Sequence, residues 1–315
     1  MSLSREVLCV EENKYKTNSL YAEIREERYI FGGPKELSIN YKHDGFAFTV
    51  KIKQCGKREI EMFSAQLVEI AKMYEQFTLI LKLLQILEGR FYSIKKLIFN
   101  SKNNTEERYE IIGKTYLSSQ LSYYESTGFA CEKSNKLIDI FSYLTQSHIE
   151  KWIQFQNEFF LPHQMFLYAC GKSGFTCDMQ CAFLIELCES LNLFLKVGVS
   201  NTLRRCIKKI INIYGTEIFK YEKKYDKFFD IIVNTRINIM HAKKDYKTPF
   251  LEKEENALYA VKFYLLYRVC AISYIGFDKT MYQQQLLNCI SIWESWETVY
   301  SDFMKKLHTD TKCTY

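Results

Sequence analysis

The apolar positions of this chain change period once. Leu37, Ile39 and Tyr41, then Phe46, Phe48, Val50 and Ile52, fall on every second residue, with His43-Asp44-Gly45 between the two runs. Period two lays one face of a strand on a core, and Asp-Gly is a hairpin turn, so the runs predict an antiparallel pair. Tyr29-Ile30-Phe31, closed by Gly32-Gly33-Pro34, reads as a further short strand. Residues 1–18 are polar and without period, which predicts a frayed lead-in.

Beyond Cys55-Gly56 the spacing becomes helical. Phe63, Leu67, Ile70, Tyr74, Phe77, Leu81, Leu84 and Leu87 recur at steps of three and four, predicting one long helix stopped by Gly89. Further helices are predicted near 105–126, 133–158, 177–197, 201–214, 217–242, 252–275 and 279–307, joined by short polar connections. The expected fold is mainly α, a helical bundle with a small N-terminal antiparallel β element. It divides into a β-containing segment, 1–56, and a helical region, 57–315. Three short strands bury little alone and must lean on the helices or on sequence beyond this chain, in which case 1–56 is part of a longer N-terminal domain.

Composition agrees with that pattern. Only 12 Gly and 3 Pro in 315 residues leave few helix breakers. The aromatic share of 16% suits helix packing first and base stacking second. A formal charge of +6 permits phosphate contact without the strong field of a protein that coats nucleic acid. Eleven irregularly spaced Cys behind a charged N-terminus imply reduced thiols and a cytoplasmic location. The apolar run at Leu79–Leu87 is interrupted by Lys82 and Gln85 and is too short for a bilayer, so no membrane segment is expected.

The sharpest local feature is Asn234-Thr235-Arg236-Ile237-Asn238-Ile239-Met240-His241, at the end of a predicted helix whose apolar face includes Phe228, Phe229, Ile232 and Val233. Imidazole exchanges protons near neutral pH, and guanidinium holds phosphate and stabilises charge building on it. Together they suffice for RNA cleavage by 2′-hydroxyl attack without a metal. Along one helix, however, five residues turn by roughly 140° and rise about 7.5 Å. The two side chains are therefore expected to converge poorly within one chain, and a composite site across a twofold axis implies a homodimer.

Other clusters carry less. Glu186 and Glu189 stand on a helix able to face Arg236, either as orienting carboxylates or as solvated charges. Lys243, Lys244 and Lys247, and the group Arg204, Arg205, Lys208 and Lys209, offer phosphate contacts or simply wet helix faces. Cys170, Cys177, Cys181 and Cys188, with His163 nearby, lack the close pairing of a zinc site and read as core residues. Gly171-Lys172-Ser173 has the tail of a phosphate loop without its first Gly or a preceding strand. No metal or cofactor is expected.

The segment 217–275, an apolar helix, Asn/Thr-Arg-x4-His, a polar loop and a second apolar helix, resembles the HEPN superfamily. Upstream, Phe141 to Trp152, the Leu-Pro loop Phe159-Phe160-Leu161-Pro162 and the helix Phe183-Leu184-Ile185-Glu186-Leu187-Cys188-Glu189 resemble its ApeA-like branch, found in bacterial abortive-infection proteins. The resemblance implies a HEPN core at about 133–275 and a dimeric, metal-independent endoribonuclease with Arg236 and His241 as catalytic residues. It also implies RNA as substrate and an anti-phage role with a phage-derived trigger. The family prefers Asn, Asp or His directly after the Arg, whereas Ile237 stands here. Either Asn238 or Asn234 supplies the polar partner, or the domain is a catalytically silent module that binds RNA or a protein.

Overall fold

The structure, a computed structural model, describes residues 15–25, 33–90, 92–100, 136–171, 176–197, 202–241, 248–294 and 297–308. These residues form two compact units. One contains those of 1–125 and 139–154, and the other those of 126–138 and 155–315.

The first unit is built on a five-stranded antiparallel sheet in the order β2-β3-β4-β1-β5: β1 (Lys16–Arg25), β2 (Lys35–His43), β3 (Phe46–Cys55), β4 (Lys57–Glu69) and β5 (Ser93–Asn100). The β2–β3 hairpin turns at Asp44-Gly45, both with positive φ, as the sequence predicts. The rest of the sheet corrects the sequence reading. Residues 16–18 are no lead-in, because β1 lies between β4 and β5 with Leu20, Ala22 and Ile24 buried in alternation. The β region also runs past residue 56. In β4, Ile60 and Met62 are buried while Phe63 and Leu67 are exposed. The apparent helical step 63–67 therefore belongs to a strand whose other face supplies the core. The expected strand at 29–31 and the helix at 105–126 lie outside the described residues.

One face of the sheet is covered by α1 (Ile70–Glu88), which ends at Gly89 in the left-handed conformation, φ 67°, as predicted. Arg58 of β4 ties sheet to helix inside the core. It bonds the Glu88 carboxylate and also reaches Tyr92 Oη (2.7 Å) and Gln54 Oε1 (2.7 Å). A short helix, α2 (Ile140–Tyr143), follows, and then α3 (Gln146–Glu158), where Trp152 donates to the carbonyl of Leu79 at 2.8 Å.

The second unit is helical: α4 (Phe160–Gly171), α5 (Cys177–Phe194), α6 (Leu203–Tyr214), a 3-10 turn at Glu222–Lys224, α7 (Asp226–His241), α8 (Lys253–Ile275), α9 (Lys279–Glu294) and α10 (Glu297–His308). Of the Leu-Pro stretch at 159–162, only Phe159 lies between helices, while Phe160, Leu161 and Pro162 form the first turn of α4 rather than a loop. Pro162 fits there because the first-turn amides have no partner within the helix to lose. At the centre lies α8, buried on every side from Asn256 to Ile275 apart from a few positions. Its length and apolarity would suit a membrane span, but 89% of the window is buried within the fold, as in a core helix. Phe166 stacks on Tyr267 (centroids 4.0 Å) and Phe219 packs on Phe263 (5.2 Å), so much of the aromatic content goes into this core. The mainly α expectation holds, with a β component larger than the sequence pattern alone predicts.

Candidate active site

Helix α7 buries Phe228, Phe229, Ile231, Ile232 and Thr235 and leaves its C-terminal turns at the surface. Arg236 follows directly after the last buried position. Its Nε donates to Glu186 Oε2 of α5 at 2.6 Å, with both side chains about a quarter exposed. Its Nη1 lies 3.4 Å from Nε2 of the exposed His241. Guanidinium, imidazole and carboxylate therefore meet on one surface of one chain.

That convergence overturns the expectation that the pair would splay apart along a single helix. The physical reason is side-chain reach. Helical Cα–Cβ bonds lean toward the N-terminus, so His241 tips back over the preceding turn. The long arginine side chain covers the remaining distance. A second subunit is not needed for these two groups to meet.

The remaining candidates are placed unevenly. Glu186 contacts Arg236, whereas Glu189 is exposed and makes no ion pair among the described residues. Asn238 makes no hydrogen bond to Arg236 or His241, and its Nδ2 atom is buried without a partner among the described residues. It is therefore no direct polar support for the pair. Asn234 Nδ2 donates to the Pro249 carbonyl at 3.2 Å, tying α7 to the chain that enters α8.

Arg204 is occupied by acidic side chains, with Nε 2.5 Å from Asp230 Oδ1 and Nη2 3.7 Å from Asp226 Oδ1. The Asp230 hydrogen bond raises its pKa. Lys208 pairs with Asp226 at 2.8 Å. This part of the basic cluster staples α6 to α7, while Arg205 is exposed and forms no ion pair among the described residues. Lys243, Lys244 and Lys247 lie outside the described residues.

Among the described residues no group of three or more His, Cys, Asp or Glu could hold a metal. Cys170, Cys181 and Cys188 are buried, Cys177 is exposed, and His163 is buried with Nδ1 2.9 Å from Tyr267 Oη. Thr235 was missed as a functional candidate. It is fully buried and accepts the Leu251 amide at 2.8 Å. A hydroxyl in register with Phe228 and Ile231 on the apolar face is the signal that marks it.

A mainly helical unit with an Arg-x4-His pair at a helix end agrees with what the HEPN resemblance implies. Residues 179–281 match the family model described as Apea-like HEPN, so the chain carries a HEPN domain of that type. The match takes in α5 through α8, including Glu186, Arg236 and His241. Comparison with curated proteins and with solved structures gave no match.

Proposed function

We propose that the chain is a metal-independent endoribonuclease, with Arg236 and His241 as its catalytic residues. The observation that carries the reading is the approach of Arg236 Nη1 to His241 Nε2 at 3.4 Å, with Glu186 holding Nε at 2.6 Å. A phosphodiester seated on this surface would meet a cation and a proton-exchanging ring together. His241 would take the proton of the ribose 2′-hydroxyl as that oxygen attacks the adjacent phosphorus. The P–O5′ bond breaks, leaving a 2′,3′-cyclic phosphate on one fragment and, once a proton is delivered, a 5′-hydroxyl on the other. Arg236 would bind the non-bridging oxygens and stabilise the charge they gain. Imidazole and guanidinium together supply acid, base and charge, so the scheme calls on no metal.

Single-stranded or looped RNA suits the scheme, because there the 2′-oxygen is able to align with the leaving oxygen. HEPN domains commonly form dimers and act on RNA, and the family match supports a defence-related context. We extend this to a cytoplasmic homodimer in anti-phage defence that responds to a phage-derived trigger. The test is incubation with end-labelled RNA in excess EDTA, comparing wild type with Arg236→Ala and His241→Ala. Cleavage lost in both variants supports the proposal; cleavage absent in the wild type, or equal in all three, removes it.

A second reading is a silent module that binds RNA or a protein. Two observations favour it: Ile237 stands where the family prefers a polar residue, and Asn238 makes no bond to the pair. RNA binding by filter retention without any cleaved product would support it.

A further inference from the structure

The family match ends at residue 281, whereas α10 begins at Glu297. We propose that Lys306 of this C-terminal helix and Thr235 of α7 are positioning residues. They grip Pro249–Leu251 from two sides and so fix the turn that carries Arg236. The inference rests on the reading of Arg236 and His241 as the reactive pair.

On the α7 side, the Leu251 amide donates to Thr235 Oγ1 at 2.8 Å, and Asn234 Nδ2 donates to the Pro249 carbonyl at 3.2 Å. Thr235 and Leu251 are both fully buried, so water cannot replace their bond. The hydroxyl of Thr235 also donates to the Ile231 carbonyl at 2.8 Å, which fixes the lone pair that Leu251 uses. On the α10 side, Lys306 Nζ donates to the Phe250 carbonyl at 3.3 Å and to Glu255 Oε2 at 3.2 Å. Glu255 in turn accepts the Glu252 amide at 2.9 Å and caps α8.

Helix α10 is itself anchored to α7. Lys227 Nζ donates to the Lys306 carbonyl at 3.0 Å, and the buried Phe303 packs on Tyr259 and Phe228 with centroids at 4.8 and 6.4 Å. The path from α10 to Arg236 is therefore continuous. Lys306 holds Phe250, its neighbours Pro249 and Leu251 hold Asn234 and Thr235, and Arg236 is the next residue. An arginine that must face His241 across 3.4 Å depends on the placement of that turn.

The test uses the full chain with Thr235→Val, Thr235→Ser, Lys306→Met and Lys306→Arg. Amide hydrogen exchange is read over 226–241, 249–258 and 297–308, beside kcat and KM on labelled RNA. Thr235→Val and Lys306→Met should speed exchange at 234–241 by about tenfold, the scale of one lost buried hydrogen bond. The same two variants should lower kcat by about tenfold with KM within about threefold, and the Ser and Arg variants should recover most of both effects. Lys306→Met that speeds exchange only within 297–308, with 234–241 unchanged, overturns the proposal. If the wild type cleaves no RNA, the nuclease reading fails while the exchange measurement still decides whether α10 controls the Arg236 turn.

Discussion

Glu186 on α5 accepts a 2.6 Å hydrogen bond from Nε of Arg236 on α7, and this bond sets which edge of the guanidinium faces outward. With both side chains partly exposed, water screens the pair, and its worth to stability is small, about 1 kcal/mol or less. Its consequence is geometric. Nε is committed to the carboxylate and Nη1 is turned toward His241.

Glu186→Ala should therefore leave folding intact while lowering RNA cleavage by about tenfold, through kcat more than through KM. Glu186→Gln keeps an acceptor for Nε and should fall between Ala and wild type. Steady-state cleavage with thermal melting on the same samples separates the two effects. Equal activity in all three proteins would mean that the carboxylate does not orient the arginine.

The core of the helical unit contains a charged pair of different character. Lys262 on α8 bonds Glu222 of the 3-10 turn, and both are almost completely buried. Tyr259 Oη donates to the same carboxylate at 3.2 Å, and the ammonium lies 4.7 Å from the Tyr300 ring. Removing one partner strands the other in a low-dielectric site, so Lys262→Met should cost about 3–5 kcal/mol in urea unfolding. The double variant Glu222→Gln, Lys262→Met should recover much of that loss. A double variant as unstable as the single one would show that lost packing, rather than a stranded charge, is responsible.

The sequence made the helical unit readable because its apolar positions keep one period over long stretches. The predicted ranges near 177–197, 201–214 and 252–275 correspond to α5, α6 and α8 with shifts of a few residues at their ends. The sheet was harder to read. The alternation of Leu20, Ala22 and Ile24 is short and begins inside a polar tract, so only its pairing with β4 and β5 makes it a strand. Phe63 and Leu67 imitate a helical step because they lie on the exposed face of β4, where nothing enforces an apolar–polar alternation. At the site, residue types and spacing marked Arg236 and His241. Their convergence could not be read from spacing, because it depends on side-chain reach and on the grip of Glu186. Thr235 could be marked by its place on the apolar face, but its role could not, because its partner Leu251 likewise comes from a separate segment of chain.

Acidic pH tests the staple between α6 and α7. The hydrogen bond from Lys208 holds the Asp226 carboxyl below its ordinary value of 3.8. A carboxyl depressed in the fold stabilises it at pH above the unfolded value and loses that contribution as pH falls through the lower folded value. Asp226→Asn should thus be less stable than wild type at about pH 6, and the difference should shrink as pH falls below the ordinary carboxylate value and through the lower folded one. Urea midpoints across that range, repeated at high salt to screen the pair, provide the check. A difference that persists at the acid end would point to packing instead of charge.

The thiols distinguish a packed core from a metal or redox site. Cys170, Cys181, Cys188 and Cys270 are buried, and desolvation drives each of their pKa values upward, which disfavours the reactive thiolate. Cys55 and Cys177 are exposed. Brief iodoacetamide treatment of the native protein, read peptide by peptide by mass spectrometry, should label Cys55 and Cys177 and spare Cys170, Cys181, Cys188 and Cys270 until urea is added. Zinc should leave the labelling of Cys177 unchanged, since no ligand group gathers around it among the described residues. Protection of Cys177 by zinc, or rapid native labelling of Cys181 or Cys188, would instead mean that the α5 stripe of thiols is an accessible ligand set.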